Sequence, residues 1–152
     1  MKLSKRRNIE GKTDYLKRIK LLKSESPRVV FRKSNRYLMA QYVSSNEAQD
    51  KVELAITSKE LLKYGWPKEL KNSLKTIPAS YLIGYLLGKK MKEKKMGNLI
   101  VDFGMIRILH KSKVYAFLKG LIDSGVKVEC DKKFFPSEER ITGKHMKKDF
   151  SG

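Results

Sequence analysis

The stretch VVFRKSNRYLMAQYVSSNEAQDKVELAIT, Val29 to Thr57, decides the fold class. Val29 to Lys33 is β-branched and aromatic, and Tyr37 to Val43 is strand-like again, the residue types that suit a pleated, half-buried surface. Ser34-Asn35-Arg36 between them is short enough for a hairpin turn, with Asn35 tolerant of positive φ. Asn46 to Asp50 reads as a polar turn. Lys51 to Thr57 then alternates, with Val52, Leu54 and Ile56 on one face and Lys51, Glu53 and Ala55 on the other. Three antiparallel strands in meander order follow from this stretch alone.

Downstream, Thr57 with Glu60 three residues on makes a capping box that opens a short helix ending at Gly65. Trp66 to Thr76 reads as a polar loop. Pro78 and Gly97 bracket a longer helix, apolar nearly all round in its first half and basic from Lys89 to Lys95. Its first half should pack on the sheet, and Gly84 and Gly88 predict a close helix–sheet approach. Leu99 to Phe103 is a short apolar strand expected at the centre of the sheet. After the basic loop Gly104 to Lys111, Ser112 caps a helix in which Val114, Phe117, Leu118 and Leu121 recur at helical spacing, with Gly125 as its stop. Val126 to Cys130 is read as a last edge strand. The tail from Asp131 is polar, with a short helix after Pro136.

Upstream, Asp14 to Lys23 reads as a short helix with Tyr15, Ile19 and Leu22 on one face and Lys17, Lys20 and Lys23 on another, closed by Pro27. Residues 1–13 have no apolar periodicity and read as an extended basic arm. The expected fold is α/β: a mixed, partly antiparallel sheet packed with helices over residues 14–130, with the arm before it and a polar tail over 131–152.

The chain has 152 residues, a length that fits one domain. Lys and Arg number 35 against 16 Asp and Glu, a formal charge of +19, which asks for a polyanionic partner. That charge divides into +10 over residues 1–36, +1 over 37–88 and +8 over 89–152, a nearly neutral middle between two basic ends. Hydrophobic residues make up 40%, enough for a core, and the single cysteine, Cys130, excludes an intramolecular disulfide. The N-terminus has no apolar stretch behind its basic start, and the longest apolar run, Ala79 to Leu87, falls far short of the roughly 20 residues of a membrane span. These features predict a soluble intracellular domain with nucleic acid as its partner; an anionic membrane surface and an acidic protein are the competing polyanions.

Catalysis finds little support. His110 and His145 have no cysteine or second histidine at ligand spacing, and neither a P-loop nor G-x-G-x-x-G occurs. Asp102 is the one acid in the apolar strand, whereas a metal-dependent nuclease wants several converging carboxylates. No cofactor, metal or small-molecule substrate is implied.

Three candidate nucleic-acid surfaces stand out. The arm carries Lys5, Arg6, Arg7 and Lys12 and leads into Tyr15; such cationic segments order on RNA as counterions leave. The hairpin Arg32-Lys33-Ser34-Asn35-Arg36-Tyr37 sets three cations, two hydrogen-bonding side chains and an aromatic at one sheet end, suited to phosphate and to an unpaired base. The loop with Arg107, His110, Lys111 and Lys113 surrounds the helix start at Ser112. Cations there oppose the helix dipole unless an anion sits between them.

At these segments the sequence resembles the large-subunit ribosomal proteins that bind 5S ribosomal RNA, eighteenth in the universal L series, in their archaeal and eukaryotic branch. RRNIEGKTDY (Arg6–Tyr15), VFRKSNRYLMAQ (Val30–Gln41), KYGW (Lys63–Trp66), ASYLIGYLLG (Ala79–Gly88), DFG (Asp102–Gly104), VYAFLKGLIDSG (Val114–Gly125) and PSEERITGKH (Pro136–His145) carry the likeness in order. The resemblance implies a non-enzymatic structural protein of the cytoplasmic ribosome that attaches 5S rRNA to the large rRNA at the central protuberance, beside neighbouring ribosomal proteins. It implies RNA contacts at Arg6, Arg7, Lys12, Tyr15, Arg32, Ser34, Asn35, Arg36, Arg107 and Lys113. The compactness of the chain points to an archaeal-type member. Ile108-Leu109-His110-Lys111 lacks the branch's usual proline and glycine, and Asn72 to Ile77 replaces a glycine- and asparagine-rich approach to the long helix. A metal-dependent RNA-processing nuclease and a general RNA chaperone are the rival functions.

Overall fold

The computed structural model describes residues 4–46, 49–97 and 99–144. The first three residues of the arm, the middle of the turn before Lys51, and the end of the tail with His145 lie outside them. Strands β1 (Arg28–Lys33), β2 (Leu38–Asn46), β3 (Gln49–Thr57) and β4 (Ile100–Asp102) form one mixed sheet in the order β3-β2-β1-β4. The first three make the expected antiparallel meander, and β4 runs parallel to β1 with Val29 opposite Val101. Helices α1 (Arg6–Ile9), α2 (Tyr15–Lys23), α3 (Ile77–Glu93), α4 (Lys113–Asp123) and α5 (Glu138–Thr142) complete the α/β fold.

One sheet face and the helices α3 and α4 enclose the core. Val29, Phe31, Leu38, Ala40 and Ile56 from the strands meet Ile83, Leu87, Met91, Phe117 and Leu121 from the helices, all nearly inaccessible to solvent. Phe31 stacks on Phe117 with ring centres 4.6 Å apart and meets Phe103 edge-on at 6.2 Å. Thr76 accepts the Ala79 N–H at the start of α3, and Asp14 does the same for Lys17 at the start of α2. Glu60 accepts the Thr57 N–H, as the capping box predicts, and opens a 3-10 turn over Ser58–Tyr64 that Gly65 ends at a φ of 96°.

Several expectations are corrected. The alternation of Val52, Leu54 and Ile56 breaks at Glu53: Tyr42 pairs Leu54 but Val43 pairs Val52, so a bulge turns Val52 to the opposite face, where it is exposed. β4 lies at the edge of the sheet. Val126–Cys130 forms no ladder, so no outer strand moves β4 to the centre. The expected polar loop 66–76 supplies two core residues, Trp66 and Leu74, and Trp66 Nε1 donates to the Leu70 carbonyl. Within the arm, Arg6–Ile9 is one exposed turn of helix rather than extended chain, closed by N–H donation from Asn8 and Ile9 to the Lys5 carbonyl.

The glycines serve a different contact from the one predicted. A Cβ on Gly84 would strike the Phe117 carbonyl, one on Gly120 the Tyr81 carbonyl, and one on Gly88 the Ser124 side chain. The close approach is therefore between α3 and α4. Ser80 Oγ adds a 2.6 Å bond to the Lys113 carbonyl, fixing the start of α4 against α3.

Candidate nucleic-acid interface

Side chains alternate along a strand, so Arg32 and Lys33 at the end of β1 point to opposite faces of the sheet. Each anchors a separate group of cations.

On the Arg32 side, its Nη2 lies 2.8 Å from Asp102 Oδ2 and its Nη1 donates to the Asp102 carbonyl, while Asp102 Oδ1 accepts the Gly104 N–H at 2.8 Å. Burial pushes the Asp102 carboxyl up, but the Arg32 and Gly104 hydrogen bonds and the charges of Arg32 and Lys17 outweigh it and hold the pKa below the usual value. Asp102 thus sets the angle of Arg32 and closes the turn into the 104–111 loop. Among the described residues no group of three or more His, Cys, Asp or Glu could hold a metal ion. Asp102→Ala is expected to destabilise the fold by about 1–3 kcal/mol, because a buried N–H and a guanidinium lose their acceptor. A depressed carboxyl contributes stability above its unfolded pKa and loses it as pH falls through the folded one. The deficit of the variant should therefore narrow below pH 3.8. Urea midpoints at neutral pH and in strong acid measure this, and a neutral-pH midpoint equal to wild type would remove Asp102 from this role.

Arm residues converge on the same side. Arg7, Lys12, Lys17, Arg18, Arg28 and Arg32 line a cleft with Asp14, Asp102 and Gly104. Arg7 Nε donates to Thr13 Oγ1, Lys12 and Arg6 both pair with Glu10, and Lys5 Nζ sits 4.6 Å from the Tyr15 ring centre. Lys17 Nζ reaches the Gly104 carbonyl, tying α2 to the loop after β4.

On the Lys33 side, the hairpin turn is built as expected: Ser34 donates its N–H and hydroxyl to the Tyr37 carbonyl, and Tyr37 N–H donates to Ser34 Oγ. Asn35 and Arg36 are exposed at the tip. Tyr37 is half-buried under Lys59, whose Nζ lies 4.6 Å from the ring centre. Lys75 Nζ donates to the Asn35 carbonyl. Lys33 and Lys75 act electrostatically on Lys113 here: burial first, then the charges of Lys75 and Lys33, push the Lys113 ammonium pKa down. The hairpin and the start of α4, far apart in sequence, thus form one surface.

Ser112 occupies the N-cap position of α4 with extended backbone, but its hydroxyl makes no capping bond and is buried without a partner among the described residues. The helix start keeps free N–H groups beside Lys113, the arrangement that favours an anion. His110 stacks on Phe134 at 4.3 Å and on Tyr115 at 5.9 Å, and Lys111, at a φ of 55°, donates its N–H to the Phe134 carbonyl. The loop is therefore braced by the tail, which also packs Ile141 of α5 into the fold. Arg107 stands exposed on this loop, flanked by exposed Ile108 and Leu109. Sequence patterning places Lys17 on a basic face of α2 but does not single out Arg18, Arg28, Lys59 and Lys75; only tertiary contacts join these residues to the surface.

An α/β domain with cations gathered on both sides of one strand end has the charge pattern of a polyanion-binding protein. The family model described as ribosomal large subunit proteins 60S L5 and 50S L18 matches residues 1–98. The large ribosomal subunit protein uL18 of Korarchaeum cryptofilum is 43% identical over 145 residues, 95% of this chain and 72% of that protein. The uL18 proteins of Methanoregula boonei and Aeropyrum pernix are each 37% identical, over 93% of this chain and 79% and 64% of their own lengths. The chain belongs to this family of ribosomal large-subunit proteins, structural constituents of the ribosome rather than enzymes, with rRNA and ribosomal proteins as partners. No helix among the described residues is long and apolar enough to cross a membrane.

Proposed function

We propose that this protein binds 5S rRNA and attaches it to the large rRNA at the central protuberance, using two cationic surfaces on either side of the β1 end. The observation that carries the reading is the gathering of cations at the hairpin end, where Lys75 Nζ donates to the Asn35 carbonyl beside exposed Lys33 and Arg36, and where Lys33 and Lys75 act electrostatically on Lys113 at the uncapped start of α4. The charges of Lys75 and Lys33 oppose that of Lys113 in the free protein, and RNA phosphates relieve that opposition while releasing counterions. Arg36 and Asn35 at the hairpin tip reach outward to read the shape of the folded RNA. Arg107 extends the same surface along the 104–111 loop. On the opposite side, the arm residues Lys5, Arg6, Arg7, Lys12 and Tyr15 wrap a second stretch of RNA, with Arg32 held by Asp102 at its root. Two faces suit a protein that bridges two RNA molecules.

Salt-titrated binding to 5S rRNA and to an unrelated folded RNA of equal length tests this. The expected result is tighter binding to 5S rRNA, weakened and with a shallower salt dependence in Arg32→Gln/Arg36→Gln and in Arg107→Gln/Lys113→Gln. Equal affinity for both RNAs points instead to a general RNA chaperone. Wild-type affinity in both double variants overturns the assignment of these surfaces.

A further inference from the structure

The root of the hairpin holds a pocket of about 280 Å³ lined by Tyr37, Leu38, Met39 and Thr57 together with Lys33 and Lys59. That volume lies just under the roughly 300–1,000 Å³ of sites for drug-sized ligands, so the pocket takes a single ring system. No carboxylate lines it among the described residues. Arg32 borders the pocket too, but Asp102 already holds its guanidinium. Lys33 and Lys59 are different: both are exposed, and neither has an acidic partner among the described residues.

Tyr37 packs against the edge of the core, and the Lys59 ammonium lies over its ring, 4.6 Å from the centre. The end of an exposed lysine is a loose cover, because its long stem rotates freely and water competes for the ammonium. A base stacked on an aromatic ring is held more firmly than a cation over a ring at an exposed site. Beside Tyr37, Met39 is 37% exposed, an unbranched thioether that adapts its shape to whatever lies against it. The pocket therefore joins a ring face under a displaceable cover, an adaptable apolar wall and two cations without an acidic partner.

We propose that this pocket receives one unpaired base of a bound RNA. The base takes the place of the Lys59 ammonium on the Tyr37 ring and meets Met39, while Lys59 and Lys33 turn to the phosphates that flank it. An unpaired nucleotide joins a flat, stackable ring to an adjacent anion, which matches the pocket and its two lysines together. An apolar peptide side chain fills the pocket and leaves the lysines unused; an acidic one engages the lysines and leaves the pocket empty. The inference rests on the proposed rRNA-binding function in taking RNA as the ligand. It adds to the phosphate contacts of the hairpin a contact that depends on a base.

The test is a titration of the whole protein with an adenosine hexanucleotide at constant ionic strength, followed by the Tyr37 ring and Met39 methyl resonances. An abasic oligomer and an oligoglutamate, both of matched charge, are the controls. Saturable movement of both resonances with the adenosine oligomer, and not with either control, is expected. Tyr37→Leu, which keeps apolar volume against the core, should weaken binding of that oligomer about tenfold, whereas Tyr37→Phe should match wild type. Lys59→Gln should keep the movement of the Tyr37 resonance and make the salt dependence of binding shallower. Equal movement with the abasic oligomer, or no movement with any probe, overturns the pocket even if the protein binds 5S rRNA tightly. Equal movement with oligoglutamate overturns it in favour of an acidic protein segment. Wild-type affinity in Tyr37→Leu overturns it as well. Base-dependent movement in a protein that binds 5S rRNA no better than an unrelated RNA keeps the pocket and removes only the preference for 5S rRNA.

Discussion

Gly84→Leu and Gly120→Val are each expected to cost the fold at least about 4 kcal/mol, read as a severe drop in the urea midpoint. At both positions the added Cβ meets the carbonyl oxygen of the opposing helix, Phe117 in one case and Tyr81 in the other, with Leu121 N or Tyr85 N close behind. A side chain at fault could rotate away; a helical carbonyl cannot, so α3 and α4 must separate along their whole contact. Overpacking commonly costs about 1–3 kcal/mol, and here the separation also loosens the Phe31–Phe117 stack and the Ser80–Lys113 bond. A total of at least about 4 kcal/mol is a large share of the roughly 5–15 kcal/mol by which folded domains are stable. Gly88→Ala is the graded comparison: its Cβ meets the Ser124 side chain, whose hydroxyl can turn but whose Cβ, at 2.7 Å, moves only with the backbone, rather than a helical carbonyl. Circular dichroism and urea unfolding measure the series, and a Gly120→Val protein with a wild-type urea midpoint would show that the two helices are not held at backbone contact.

The sequence displays the small-residue spacing of Gly84 and Gly88 but not the surface it faces. The spacing gives a narrow stripe on α3, and either a sheet or a helix could fill it. The partner is revealed only by Gly120, on the facing helix, whose own spacing is unremarkable. The meander is legible because its information is local: β-branched runs, a Ser-Asn-Arg turn and a period of two. The bulge at Glu53 is not, since register depends on the opposing strand and Val52 looks as apolar as Leu54. The apolar run at β4 suggests burial on both sides, but β4 is an edge strand whose Ile100 and Val101 are only half-buried.

For the interface, residues that act through neighbours in sequence are visible, as with the hairpin Ser34 to Tyr37 and the cations about Ser112. Lys75 is not, because its place beside Asn35 spans forty residues. Arg28 is not, because an arginine at a strand start reads as a solvated end until Asp50 and Ser45 are seen around it. The structure also gives Asp102 a use that a strand-end acid alone leaves open: it aims an arginine.

Replacing Lys33, Lys75 and Lys113 together by glutamine should weaken rRNA binding by about one to two orders of magnitude at moderate salt. It should also lower the slope of log K against log salt by about 0.7–0.9 for each phosphate no longer neutralised. The free protein should respond in the opposite direction. The Lys113 ammonium has its pKa lowered by burial and by Lys75 and Lys33, so its charged form is disfavoured in the folded state. Below that lowered pKa the lysine opposes folding, and the opposition fades as pH rises through it toward the unfolded value near 10.5. Removing the charge also relieves a cation at the positive end of α4. Lys113→Gln alone is therefore expected to raise the urea midpoint at neutral pH and to lose that advantage near pH 11. Lys75→Gln gives up its bond to the Asn35 carbonyl and should gain less. Loss of affinity with gain of stability identifies cations kept together for an anion, because a merely structural cluster loses both when its members are removed. If Lys113→Gln lowers the neutral-pH midpoint, the three lysines support the fold and the weakened binding follows from that damage.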